Sequence, residues 1–244
     1  MKSIIVTGAA GGIGRAVVGR LAKEGFSVLA CDRDSAGLEK AVQAIQAEYP
    51  KSKVESAVFD VTDTAAVLRF GESLGKRAPD LCGLVNNAGI YLGRDLFQYK
   101  LEEMERVMAV NLFSAVQLSQ IVGKILVGEK RKGVIINMSS ISAFEGSSDA
   151  LYGVTKSGLI GLTRSCAITF APFVRVNAVA PGIVDTPLIE AIPKWRIEEF
   201  EKSERLKGRI SPEAVASAVW FLVSDESRHT TGSVIDLNNG GYFR

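Results

Sequence analysis

The chain has 244 residues, 47% of them hydrophobic and 23% charged, with a formal charge of +2. That composition excludes a disordered chain, and the small charge gives no reason to expect a nucleic-acid partner. A chain of this length buries roughly three quarters of its unfolded surface, so it needs neither metal nor disulfide to hold a core.

The opening segment MKSIIVTGAAGG carries one Lys and an apolar run that breaks at Gly8, too short for a signal-peptide core. No apolar run elsewhere is read as a membrane span, and the expectation is a cytoplasmic protein with no membrane partner. A strand over 3–7 leads into the turn from Thr7 to Gly14 and a helix over 13–24. Gly8, Gly12 and Gly14 let the backbone turn tightly and approach a pyrophosphate, and the following helix offers free N–H groups and the positive end of its dipole. Gly11 and Ile13 belong to the same turn. A strand over 26–31 ends at Asp32, 18 residues after Gly14, near the spacing at which an acid accepts hydrogen bonds from an adenosine ribose. A carboxylate there disfavours a 2′-phosphate and favours NAD over NADP; Arg33 pulls the other way, and Asp32 is also able simply to cap the next turn.

A helix over 36–48, a strand over 54–59 ending at Asp60, a helix over 65–77 and a strand over 83–86 follow. The last runs into Asn86, Asn87, Ala88 and Gly89. A helix over 112–130 ends in the basic cluster Lys130 to Lys132, which suits a helix C-terminus. A strand over 134–138 leads to Ser139 and Ser140, a helix over 151–170 contains Tyr152 and Lys156, and a strand over 175–179 leads to Pro181 and Gly182. A helix over 212–224 and a strand over 233–237 complete the chain. Short, nearly continuous apolar strands alternating with amphipathic helices predict an α/β fold: one doubly wound parallel sheet between helical layers, a single Rossmann-type domain over 1–244. The segment 187–209, interrupted by Pro193 and charged in its second half, reads either as a substrate flap or as a pair of charged surface helices.

Small or polar residues stand at every predicted carboxyl end, where open α/β sheets bind ligands. Tyr152 and Lys156, four apart on a helix, share a face. A neighbouring ammonium, helped by a positive nicotinamide ring, is expected to lower the phenol pKa and fit Tyr152 for proton transfer. Cys31, Cys82 and Cys166 lie singly and read as buried free thiols, and His229 as a surface residue with no metal site around it. Trp195 is a possible substrate contact and Trp220 a core residue. A substrate pocket is expected from 91–98, 141–151 and 187–209; Glu145 and Asp149, in the second of these, read either as substrate contacts or, preferably, as solvated loop acids.

With TGAAGGIG, Asp60-Val61, NNAG, Asn111, the paired serines, YGVTK and PGIVDT in this order, the sequence resembles the short-chain dehydrogenase/reductase family over nearly its whole length. The resemblance implies a tetrad of Asn111, Ser140, Tyr152 and Lys156. In it serine binds the reacting oxygen, tyrosine moves the proton, lysine holds the nicotinamide ribose, and asparagine holds a water. It implies that Asp60 and Val61 meet the adenine, that Asn87 and Gly89 line the cofactor, and that Val184 and Thr186 meet its carboxamide side. Counting back from Tyr152 by the family's usual spacing gives Ser139; the strand pattern from Gly133 gives Ser140. We take Ser140, because a deletion is easier in the following loop than in a buried strand. Gly11, where NADP-preferring members carry Lys or Arg, agrees with NAD.

The function expected is hydride transfer between NAD(H), or NADP(H), and a small carbonyl or alcohol substrate such as a secondary alcohol, sugar or polyol. The alternatives are an NADPH-dependent 3-oxoacyl-acyl-carrier-protein reductase and a cofactor sensor without turnover. The resemblance also implies a homo-oligomer, tetramer or dimer, for whose packing Leu118, Ile121, Ile125, Leu159 and Leu162 are available unless they face the sheet.

Overall fold

The computed structural model describes residues 1–243. Seven parallel strands form one sheet: β1 (Ser3–Thr7), β2 (Ser27–Asp32), β3 (Lys53–Val58), β4 (Leu81–Asn86), β5 (Gly133–Met138), β6 (Val174–Pro181) and β7 (Val234–Leu237). Their order is β3-β2-β1-β4-β5-β6-β7, so the winding reverses between β1 and β4. The expected doubly wound Rossmann architecture is the one observed.

All five residues of β1 are buried, and they alternate between two cores. Ile4 and Val6 join the layer formed by α1 (Gly12–Lys23), α2 (Ser35–Glu48) and α9 (Pro212–Val223). Ile5 joins the opposite layer, with α3 (Thr64–Arg77), α5 (Ser114–Gly128) and α7 (Ala150–Thr169). Burial on both faces is the reason SIIVT is almost uniformly apolar. At the edge, β3 exposes Lys53, Glu55 and Ser56, charged and polar side chains that discourage pairing with another chain.

Helix starts are written in the sequence. Asp34, Asp63, Asp149 and Ser211 each accept a backbone N–H in the first turn of α2, α3, α7 and α9. By contrast α1 begins at Gly11 with no side-chain cap, leaving its N–H groups free toward the sheet's carboxyl end. The far end of α9 is held by Arg175 of β6, whose guanidinium donates to the carbonyls of Leu222 at 2.8 Å and Ser224 at 3.3 Å and to Ser227 Oγ at 3.1 Å.

Three expectations change. Residues Leu101–Gly128 form one uninterrupted helical stretch, comprising α4 (Leu101–Met108), a widened π turn (Ala109–Phe113) and α5. The stretch is long and apolar enough to cross a bilayer, contrary to the sequence reading, but half of its most apolar window is buried. Leu118, Val122 and Leu126 lie in the core. The positions suggested for self-association also turn inward: Leu118 and Leu159 are buried, and Ile121, Ile125 and Leu162 pack against the core. Phe113 at the end of the π turn, Val116 on α5, and Val154 and Ile168 on α7 are exposed instead. Finally, Cys82 is half-buried rather than buried, and burial raises all three thiols, Cys82 to about 11, which keeps them unreactive.

Replacing Arg175 by Met should strand the last carbonyls of α9 and lower the unfolding free energy by roughly 2 kcal/mol. Urea titration checks this, and a loss below about 0.5 kcal/mol would show that water caps the helix equally well.

Candidate active site

The carboxyl ends of the strands frame a cleft of about 400 Å³. Its first wall is the turn between β1 and α1. Gly8 and Gly12 have φ of +67° and +53°, conformations glycine adopts without strain. A side chain on Gly14 would collide with the Gly8 carbonyl and the Asn87 amide. Gly14 therefore packs beneath the turn rather than lining the cleft, and its role is to let α1 close onto β1.

The turn is tied to β4 across the point where the winding reverses. Thr7 Oγ1 accepts the N–H groups of Asn87 and Ala88, both at 3.0 Å, while Asn87 Nδ2 donates to the Thr7 carbonyl at 2.9 Å and that of Gly8 at 3.2 Å. Asp32 fastens the other side: one carboxylate oxygen accepts from Ala10 N and the other from Asp34 N, both at 3.0 Å. Asp32 thus both caps the next turn and faces the cleft. Free N–H groups on α1, a backbone open to close approach and an acid at the end of β2 fit a dinucleotide. Gly11, Ile13, Asn87, Ala88, Gly89, Pro181, Gly182, Val184 and Thr186 all reach the lining as expected.

Asp60, Val61 and Asn111 do not. Val61 is buried in the core beside α3. Asp60 accepts from the Thr62 N–H and hydroxyl and stands 3.7 Å from the Arg33 guanidinium. Burial acts to raise this carboxyl, but those partners outweigh it and hold it below the usual range. Asn111, buried at the centre of the π turn, exchanges two hydrogen bonds with the Ile90 backbone and donates to Thr155 Oγ1 at 3.2 Å. Widened turns of this kind often mark functional positions, because they re-aim one side chain inside a continuous helix. Here the asparagine amide braces the loop after β4 against α7.

Tyr152, Lys156, Ser139 and Ser140 converge on the cleft. The Lys156 ammonium donates to the Met138 carbonyl at 2.8 Å and lies 5.4 Å from the Tyr152 ring centre. The two serines point apart, as neighbours leaving a strand do. Ser139 Oγ donates to the Lys156 carbonyl at 2.8 Å, whereas Ser140 Oγ accepts from Ser142 N at 3.2 Å and hydrogen-bonds the Tyr152 hydroxyl.

The electrostatics depart from expectation. Burial pushes Tyr152 up to about 12, the Ser140 hydrogen bond only partly opposing it, and burial brings Lys156 down to about 8. The protein alone therefore does not lower the phenol: desolvation outweighs the Ser140 hydrogen bond, and Tyr91 and Asp149 add to it.

Several contributors fall in the segments 91–98, 141–151 and 187–209, where a substrate pocket was expected, with partners that the sequence did not indicate. Tyr91 meets Tyr152 edge-on at 5.0 Å, with rings 87° apart. Asp149, expected in solvent, is fully buried: it caps α7, accepts the Tyr99 hydroxyl at 2.7 Å and takes the Gly93 N–H at 3.0 Å. Glu145, at the end of the single-turn helix α6 (Ser142–Glu145), lines the cleft and pairs with Arg196. Arg196 lies in α8 (Lys194–Ser203), which follows a 3-10 turn at Pro187–Ala191. The segment 187–209 is thus both helical and part of the cleft wall. Trp195 is exposed and outside the lining, His229 is exposed, and Trp220 is partly buried edge-on to Phe26. Among the described residues no group of three or more His, Cys, Asp or Glu could hold a metal.

Comparison with known proteins is consistent across sequence and structure. The family model described as enoyl-(acyl carrier protein) reductase matches residues 8–242. The 3-oxoacyl-[acyl-carrier-protein] reductase of Thermotoga maritima is 36% identical over 98% of this chain and 97% of its own. Levodione reductase of Leifsonia aquatica is 30% identical over 98% and 93%. A Beutenbergia cavernae structure, provisionally assigned as an NAD(P)-dependent gluconate 5-dehydrogenase and holding NADP at low occupancy, superposes with a TM-score of 0.91 at 31% identity, over 98% of this chain and 96% of that one.

The lysine shift makes a linkage prediction. The folded value, about 8, lies below the unfolded 10.5, so between these the unfolded chain binds a proton that the folded one has shed. Wild-type stability should therefore rise with pH across that window. In Lys156→Met this rise disappears, so wild type should gain on the variant by about 3 kcal/mol from about pH 7 to about pH 10.5. Tyr152 contributes in the opposite sense above pH 10 in both proteins. Denaturation midpoints measured across the window test this, and a wild-type-minus-variant difference that stays flat would refute it.

Proposed function

We propose that this chain, which belongs to the short-chain dehydrogenase/reductase family, transfers a hydride between NAD(H) and an uncomplexed secondary alcohol or ketone, with Tyr152 moving the proton. Oxidoreduction at a CH–OH or carbonyl carbon with a nicotinamide cofactor follows from family membership. The observation that carries the finer reading is the meeting of Tyr152, Ser140 and Lys156 at the edge of a cleft built to receive a dinucleotide.

The bound cofactor supplies or accepts the hydride and, when oxidised, a positive charge. The chain supplies position and proton. With Tyr152 near 12, the phenol carries its proton at neutral pH and serves as the acid toward a nascent alkoxide. In the opposite direction a phenolate is needed, and Lys156 with the cationic ring favours it. Ser140 is the serine free to bind the reacting oxygen, since Ser139 is committed to the Lys156 carbonyl. Asn111 acts by bracing the loop before Tyr91 against α7. The turn at Pro187–Ala191 and α8 form the flap over the substrate.

NAD is supported by Asp32, whose carboxylate faces the cleft where a 2′-phosphate would stand, and by Arg33, which is turned toward Asp60. A second reading, NADPH-dependent reduction of a 3-oxoacyl thioester, draws on the identity to the Thermotoga maritima reductase. The exposed Phe113, Val116 and Val154 support self-association through α5 and α7.

Steady-state assays with NADH and NADPH on free ketones and on an acetoacetyl thioester separate the two readings, with NADH and free ketones expected to give the higher kcat/KM. Tyr152→Phe should lower kcat by about 10²-fold or more while retaining dinucleotide binding. Ser140→Ala should cost far more than Ser139→Ala; the reverse order would transfer the role to Ser139.

A further inference from the structure

Four charged side chains line the cleft: Asp32, Glu145, Lys156 and Arg196. Asp32 belongs to the glycine-rich turn through Ala10, and Lys156 is held by the Met138 carbonyl. The charges left to meet a substrate in this cleft are therefore Glu145 and Arg196. They are bonded to each other, Arg196 Nη2 to Glu145 Oε1 at 2.7 Å, with side chains 25% and 19% exposed. The other terminal nitrogen, Nη1, is taken by Glu199 at 2.7 Å. One guanidinium is thus shared by two carboxylates, and the cluster sums to a single negative charge. The remaining wall on this side includes Leu188, Ile189 and Ile192.

Both partners are held from behind. Helix α6, which carries Glu145, is bound to α7 through Ser157 Oγ, which donates to the Ala143 carbonyl at 2.9 Å, and Phe144 stacks on Tyr242 at 6.5 Å. On the flap, α8 is anchored by the buried Phe200, which packs closely on Gly182 and Gly241. The pair is therefore a fixed part of the wall, not two exposed side chains that happen to meet.

We infer that Glu145 sets substrate charge specificity by occupying Arg196, so that the cleft takes an uncharged hydroxy or keto compound and rejects one bearing a carboxylate or phosphate. An anionic substrate would have to displace Glu145 from the guanidinium and leave a partly buried carboxylate without its partner, beside Glu199. Such a pair discriminates by penalising the wrong ligand rather than by adding contacts to the right one. The inference rests on the hydride-transfer reading for its kinetic test but not for its binding test.

The test uses ethyl acetoacetate and acetoacetate, which carry the same ketone and differ in the charge of the carboxyl group. With the preferred cofactor, wild type should reduce the ester with kcat/KM at least about 100-fold above the acid. Glu145→Gln, which keeps shape and removes charge, should narrow that ratio at least about tenfold through a lower KM for acetoacetate. Adding Arg196→Met to Glu145→Gln should reverse the gain, which a loosened wall alone would not do. Equal use of both probes by wild type, or an unchanged ratio in Glu145→Gln, would overturn the inference. If neither probe nor a panel of secondary alcohols is turned over, the function proposed above fails instead. The inference is then judged by equilibrium binding of both probes, measured by isothermal titration calorimetry. A gain in acetoacetate affinity alone on Glu145→Gln sustains it, and no gain overturns it.

Discussion

The hydroxyl of Thr7 accepts two backbone N–H groups from the chain leaving β4, and the cleft depends on that junction. Where a doubly wound sheet reverses its order, the loops on either side diverge and open a crevice. Backbone groups there have no ladder partners, and unpaired buried N–H groups are costly. Thr7, together with the Asn87 amide returning to the carbonyls of residues 7 and 8, satisfies them with one side chain from β1 and one from the segment leaving β4. The glycine turn and the segment from Asn87 toward Tyr91 are both positioned by this exchange. Without it the conformational freedom of Gly8 and Gly12 would cost order at the place where a ligand needs a preformed surface.

Burial then sets the chemistry. Lys156 is buried and Tyr152 half-buried at the cleft wall, and the loss of solvation makes both charged forms unfavourable, so the phenol is held above its ordinary value and the ammonium below. The pair is balanced rather than switched on: a proton on the tyrosine is retained until charge arrives from outside the side chains themselves. Preorganisation of this sort has a stability cost, visible in the lysine.

The scaffold was legible in the sequence because it repeats: uniformly apolar strands, polar carboxyl ends and acids at helix starts each follow from a local rule. Strand limits differ from expectation by a residue or two, the uncertainty of any hydrogen-bond assignment at a frayed end. What local rules did not reach was long-range pairing. LEEMERVM carries enough charge to mask α4, and its fusion to α5 through a widened turn leaves no sequence signal beyond Asn111 itself. Asp149 and Glu145 look alike in a loop of small and acidic residues. Their fates are decided by Tyr99 and Arg196, 50 and 51 positions away along the chain. Gly14, Asp60 and Val61, assigned to a cofactor, lie outside the cleft lining: Gly14 packs under the turn, Val61 joins the core and Asp60 stays half-exposed beside Arg33, differences that motif spacing does not encode.

Asp149 has a consequence for how such a site can be rebuilt. Its carboxylate simultaneously starts α7, holds the Tyr99 hydroxyl and takes the N–H groups of residues 92 and 93. The two loops, distant in sequence, therefore behave as a single heritable part. A graft that imports one loop from a relative while leaving the other would strand a buried carboxylate or orphan a buried phenol. Exchange of residues 91–99 together with 147–149 keeps the junction whole, and recombination of such a scaffold has its natural crossover points outside that paired block rather than between its halves.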